Sequence, residues 1–249
     1  VLNPLTLTSH QQTSRTTMTS PQAVHKAFVL LSGGVDSTTT LAIAADDFPD
    51  SAIECCTVDY GQRHLKEAEC AAWQAEAYGA DHVVIDASGL LTGMLVDKGD
   101  ESNEVIPEVS YADLPHGISP TYVSFRNGTM LSLLAARAQS WVMDMEKQGL
   151  SATATLYCGI HADDAARDAY PDCTLEFIGS MANAICVGTY FKVRVRAPLV
   201  HLEKTQVVIS GDILDVAWGH TWSCYVGAEE HCGVCPTCRS RKEAFAKAD

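Results

Sequence analysis

Two sets of residues in this sequence have the types and spacing of chemical sites. The first is the run Leu31, Ser32, Gly33, Gly34, Val35, Asp36, Ser37, Thr38, Thr39, Thr40 and Leu41. Its paired glycines let backbone approach a bound group closely, and its hydroxyls add hydrogen-bond donors. Where such a run links a buried strand to a helix, unpaired N–H groups and the positive end of the helix dipole make a phosphate site. The run has neither the Gly-Lys-Ser/Thr ending of a Walker loop nor the three spaced glycines of a dinucleotide fingerprint. The second set is Cys224, Cys232, Cys235 and Cys238. Four thiolates at such spacings close a tetrahedral zinc site with no open position, the pattern of a structural site. An iron–sulfur cluster and a DNA-binding zinc ribbon are the competing readings. His231 adjoins Cys232, and because adjacent residues rarely both reach one ion, an all-cysteine site is expected.

The bulk of the chain bounds what these sites serve. At 249 residues it is long enough for one large α/β domain with a small appendage. A net charge of −14 argues against a broad nucleic-acid footprint and for a small-molecule substrate. No apolar run approaches the ~20 residues of a membrane span, so no membrane partner is expected. Residues 1–24, rich in Ser and Thr, lack the basic start and apolar core of a signal peptide and read as a disordered leader. Ten cysteines in a chain of this length are not the density of a small disulfide-bonded domain. A reducing, cytoplasmic location is therefore expected.

The elements that must position the sites alternate. Ala27 to Leu31 reads as a buried strand, and Thr38 to Ala45 as the helix leaving the glycine run. Ile53 to Asp59 is a second strand, Leu65 to Tyr78 a helix closed by Gly79, and His82 to Asp86 a third strand. This order implies a Rossmann-like parallel sheet flanked by helices, which binds ligands at the carboxyl ends of its strands. Residues 87–120 have no sustained period and read as a lid, a binding loop or a mobile segment. A long helix follows the stretch Thr121 to Gly128. Further along come a strand at Thr155 to Cys158, a helix near Leu175 to Ala184, a strand at Val193 to Pro198 and a helix from Glu203 to Leu214. Polar residues gather after successive strands: Tyr60, Arg63 and His64, then His161, Asp163 and Asp164, then Tyr170 and Asp172. Arg126, before the long helix, has the fork geometry to hold a carboxylate or phosphate.

Ser32 to Ser37 resembles the pyrophosphate loop of the ATP pyrophosphatases, which cleave ATP between the α and β phosphates. Loop and cysteine tail together resemble the 7-cyano-7-deazaguanine synthase family, which makes the nitrile precursor of queuosine and archaeosine. The resemblance runs from about Ala27 to Phe245. It includes Ser32 to Thr39, Asp59-Tyr60-Gly61-Gln62-Arg63-His64, Phe125-Arg126-Asn127, His161-Ala162-Asp163-Asp164, Tyr170-Pro171-Asp172-Cys173 and Thr221-Trp222-Ser223-Cys224-Tyr225 through Cys238. Ser124 stands where the family commonly has Pro, Gln206 to His220 follows the pattern poorly, and the leader has no counterpart.

The resemblance implies an adenine nucleotide α-hydrolase-like domain over residues 25–220, with a zinc-binding segment over 221–249 packed on it. It implies ATP-dependent conversion of 7-carboxy-7-deazaguanine and ammonia to the nitrile, through adenylates and an amide, with AMP and pyrophosphate released. Magnesium, ATP and zinc are the cofactors implied, and a homodimer the assembly. Leu31 to Leu41 would hold the nucleotide. Asp36, Ser37, Arg126 and His161 are the catalytic candidates. Arg63, His64, Arg126, Asn127, Asp163, Tyr170 and Asp172 are the substrate-binding candidates, and Cys173 is expected to be a bystander. The alternatives are a related enzyme with another acceptor (deazaguanine transfer, small-molecule amidation or transfer-RNA thiolation) and a non-catalytic nucleotide-binding homologue.

Overall fold

Alternating apolar residues on the strands give the sheet two buried faces, because successive side chains of a strand point to opposite sides. On β1 (Ala23–Leu30), Ala27 and Val29 face one way and Phe28 the other. Cys55 and Cys56 of β2 (Ala52–Asp59) divide in the same manner and pack as small apolar residues. β3 (Asp81–Asp86), β4 (Ser151–Tyr157) and β5 (Val193–Arg196) complete five strands in the order β3-β2-β1-β4-β5, with every pairing parallel. One face is covered by α1 (Val35–Asp47) and α2 (Leu65–Ala77), through Leu41, Ala44, Ala71 and Ala75. The other is covered by α3 (Arg126–Lys147) and, beyond the short α4 (Ala162–Ala165), by α5 (Leu175–Gly188). This is the expected Rossmann-like sheet flanked by helices.

The computed structural model describes residues 22–49, 52–62, 65–91, 93, 95–96, 106–114, 116–166, 169–226 and 229–249. Ala23 and Val24, expected in the leader, instead begin β1 and pair with Ser151 and Ala152 of β4. Residues 1–21 of that leader, and Arg63 and His64, lie outside the described residues. The long helix begins at Arg126, after a left-handed Phe125 (φ 52°) whose ring occupies the space beside Gly128.

Two elements near the C-terminus dock on α1. Val207 and Val208 of α6 (Lys204–Ile213) and Ala244 of α7 (Pro236–Ala248) share a core with Val35 and Leu199. The C-terminal segment thereby reaches the glycine run, where the Trp222 N–H donates to the Gly33 carbonyl at 2.9 Å.

Candidate functional site

Strand order reverses between β1 and β4, and a doubly wound sheet offers its ligand crevice at that point. A cavity of about 540 Å³ opens there. Leu31, Ser32, Gly34, Val35, Asp36 and Ser37 form one wall and Gly159, Ile160 and His161 another. Two glycines make the approach possible. A Cβ on Gly33, at φ +83°, would lie 2.3 Å from the Glu67 carbonyl oxygen, and one on Gly159 would lie 2.9 Å from the Asp36 carbonyl. Gly34 precedes α1 and no side chain caps that helix, so its first-turn N–H groups face the cavity beside Val35, Asp36 and Ser37. Ser37 Oγ accepts from the Ser32 N–H at 3.2 Å and donates to the Gly34 carbonyl at 3.2 Å, which closes the loop on itself. The backbone geometry is that of an anion cradle. Thr38, Thr39, Thr40 and Leu41 are fully buried inside α1 and lie off the cavity wall.

Charged groups are drawn in around Asp36. Lys204, the first residue of α6, donates to both carboxylate oxygens at 2.6 Å. His161 Nε2 lies 3.8 Å from Asp36 and 3.4 Å from Asp164. Burial pushes the Asp36 carboxyl up, but Lys204 and His161 outweigh it and hold the group below the usual carboxylate range. Asp163 accepts from the backbone N–H of Lys204 at 2.9 Å, so it caps α6 while lining the cavity. Nothing in the sequence reading gave Lys204 a role. One signal was available: a cation at a helix N-terminus opposes the dipole and needs another reason to be there.

Deeper in the cavity lie Arg126, Tyr60, Tyr111, Tyr170, Tyr225 and Glu67. Burial would push the Arg126 guanidinium down, but Tyr60 and Tyr225 outweigh it and keep the charge on. Tyr111 and Tyr225 hydroxyls meet at 3.1 Å, and Tyr170 Oη lies 2.6 Å from Thr121 Oγ1. Flat rings with their polar tips paired make a pocket suited to a planar heterocycle. Burial pushes the Glu67 carboxyl up to about 7 against the pull of Arg126. Part of the stretch 87–120 walls this pocket: Leu91, Leu95 and Val96 pack with Tyr60 and Val123, and Ser110, Tyr111 and Ser119 line the space.

Asp172 is placed differently from the other candidates. It lies off the cavity wall, and its carboxylate accepts from the backbone N–H of Asn127 at 2.9 Å, in the first turn of α3. Asn127 lines the cavity and returns a bond to the Asp172 carbonyl at 3.2 Å. Cys173 lines the cavity too, but burial, Asp164 and Asp172 push its thiol up, away from the thiolate a nucleophile requires.

The four cysteine sulfurs of the tail lie within 4.8 Å of one another. A zinc tetrahedron with arms of ~2.3 Å has edges of about 3.8 Å, and Cys232 Sγ and Cys238 Sγ are 3.9 Å apart. Backbone N–H groups of Val226 and Cys232 point at Cys224 Sγ at 3.4 Å, the kind of bond that supports a thiolate. Donor set and spacing fit one tetrahedral metal ion. His231 is elsewhere, stacked on Trp222 with ring centroids 4.2 Å apart.

A parallel sheet with an anion cradle at its switch point and a four-cysteine tail docked on that cradle defines a phosphate-loop α/β protein. The chain belongs to the family of the queuosine biosynthesis protein QueC, whose sequence model matches residues 26–249. It is 35% identical over 229 residues to a 7-cyano-7-deazaguanine synthase of Thermoplasma volcanium, covering 90% of this chain and 87% of that one. A synthase of the same name from Caldicellulosiruptor saccharolyticus is 36% identical over 224 residues, covering 89% and 91%. Among solved structures, the U34-tRNA thiolase NcsA of Methanococcus maripaludis superposes with a TM-score of 0.47 at 14% identity, over 92% of this chain and 65% of that one. That likeness is too slight to argue from. Among the described residues, no helix is long and apolar enough to cross a membrane.

Proposed function

We propose that this chain converts 7-carboxy-7-deazaguanine, ammonia and ATP to 7-cyano-7-deazaguanine, AMP and pyrophosphate. The observation that carries the reading, beside the family, is that the anion cradle and the Arg126 pocket open into one cavity. A carboxylate held at Arg126 and an ATP held at Ser32 to Ser37 would then meet within it.

Turning a carboxylate into a nitrile removes two oxygens, and neither leaves readily alone. A carboxylate oxygen attacks the α phosphorus of ATP, and pyrophosphate departs. Ammonia attacks the resulting acyl adenylate, and AMP leaves with the first oxygen. The amide oxygen attacks a second ATP in the same way, and loss of AMP and of both amide protons gives the nitrile. First-turn N–H groups of α1 and Lys204 stabilise charge as it gathers on the departing pyrophosphate. Asp36 is the carboxylate that would hold magnesium, an ion that favours oxygen ligands and supplies charge neutralisation when bound. His161, between Asp36 and Asp164, moves a proton at Nε2. Asn127, Tyr170 and the neighbouring phenols orient the heterocycle, Arg63 and His64 are further substrate-binding residues, and Asp172 acts by fixing Asn127.

Cys224, Cys232, Cys235 and Cys238 hold one structural zinc ion, the working unit is a homodimer, and the compartment is the cytoplasm. The test is to supply all substrates with magnesium to zinc-loaded protein and follow products by mass spectrometry. Nitrile, AMP and pyrophosphate are expected. ADP in place of AMP, or no consumption of the deazapurine, would contradict the reading.

A further inference from the structure

Glu67 has no part in the nucleotide chemistry above, yet it stands in the same cavity. It is the third residue of α2, and its carbonyl fills the space where Gly33 has no side chain. Backbone contact thus locks it to the phosphate loop. Its side chain shares the cavity with Ser32 and Gly34 on one side and Tyr60 and Arg126 on the other. Asp36 is paired with Lys204 and Asp163 with the Lys204 backbone, whereas Glu67 stands on the Arg126 side of a pocket whose ligands are a carboxylate and a polyphosphate, where like charges repel. Glu67 suits the one substrate that is a cation.

That substrate, on the reading just proposed, is ammonia. Near neutral pH it exists mainly as ammonium, which has no lone pair for attack. We propose that Glu67 binds ammonium inside the cavity and removes its proton, releasing ammonia beside the acyl adenylate. The proton passes from nitrogen to a Glu67 carboxylate oxygen. The freed lone pair forms the new C–N bond, and the C–O bond to AMP breaks with its electrons going to AMP. The nitrogen then sheds one more proton to water, and Glu67 passes the first to water as well, so each amide formed releases two protons. A carboxyl pushed up to about 7 by burial is a far better base for this task than an exposed glutamate. Among the described residues, the charged and titratable groups facing it are Arg126 from α3, Tyr60 at the end of β2 and Cys70 on its own helix.

The experiment compares ammonium with hydroxylamine, which is a neutral nucleophile at pH 7 and needs no prior deprotonation. Glu67→Gln is expected to slow transfer to ammonia by about 100-fold or more and transfer to hydroxylamine far less. Equal loss with both nucleophiles would overturn the inference and leave Glu67 a positioning residue for Arg126. Failure of the unaltered protein to transfer to either would contradict the reaction itself, a distinct result. Should Glu67→Gln not fold, the unaltered protein decides alone. Its kcat/KM for total ammonia should rise through pH 7 and then level. A continued rise of about tenfold per pH unit toward pH 9, tracking free ammonia, would overturn the inference.

Discussion

Lys204 and Asp36 form the tightest ionic contact on the cavity wall, and their link gives a pH-dependent test. Asp36 is held below the ordinary carboxylate range in the folded chain, so its contribution to stability is full above that range. It is lost as pH falls through the lower, folded-state value. Lys204→Met leaves the carboxylate desolvated, with His161 Nε2 3.8 Å away as its nearest remaining side-chain partner. Loss of a charge-assisted pair of bonds should cost about 1.5–3 kcal/mol at pH 7, read from the denaturant midpoint. The gap between variant and parent should close in acid, where Asp36 is protonated in both. A gap that stays constant with pH would mean Lys204 stabilises by packing alone. Gly33→Ala makes a sharper residue-scale test, since a left-handed non-glycine residue costs about 1–3 kcal/mol before the clash with the Glu67 carbonyl is counted. Loss of ATP binding is expected, measured by calorimetry on whatever fraction stays folded. At this scale the glycine run and the four cysteines were legible, because spacing along the chain is itself the signal. Lys204 and Glu67 were not, since their meaning comes from residues that are 168 positions away from Lys204 and across the cavity from Glu67.

α3 shows how an element can be legible while its boundary is not. Apolar periodicity marked the helix, but its start follows Phe125, which lacks a capping side chain. The cap comes instead from Asp172, 45 positions downstream, through the Asn127 N–H. A sequence window sees only local caps, so Asp172 reads there as one more polar loop residue. Asp172→Ala should cost about 1 kcal/mol, the worth of an N-cap, whereas Asp172→Asn keeps an acceptor oxygen and should cost much less. Urea denaturation of both variants checks this, and equal losses would remove the capping role. β1 likewise starts at Ala23, where sequence composition still reads as leader, because pairing with β4 extends it.

Over the whole molecule, the cysteine tail is joined to the phosphate loop by more than its proposed metal. The Trp222 N–H bonds Gly33, the Arg241 guanidinium holds Thr221 at 2.8 Å, and Phe245 packs edge-on against Trp218 at 5.2 Å. Removing zinc with a chelator, or Cys235→Ser, should therefore loosen the loop as well as the tail. Trp222 fluorescence should shift to the red and affinity for ATP should fall. Unchanged ATP affinity after full metal loss would show the two to be independent. The parallel sheet was legible as a whole, since strand and helix alternate along the chain. The joining of tail, loop and α6 into one cavity wall was not, because their packing is set by long-range contacts.

The central claim is that both carboxylate oxygens leave as part of AMP. It is tested most directly with 7-carboxy-7-deazaguanine carrying oxygen-18 at both carboxylate positions. The account predicts two AMP molecules per nitrile, each with one labelled oxygen, and unlabelled pyrophosphate. Label in inorganic phosphate alongside ADP, or label lost to water, would contradict it.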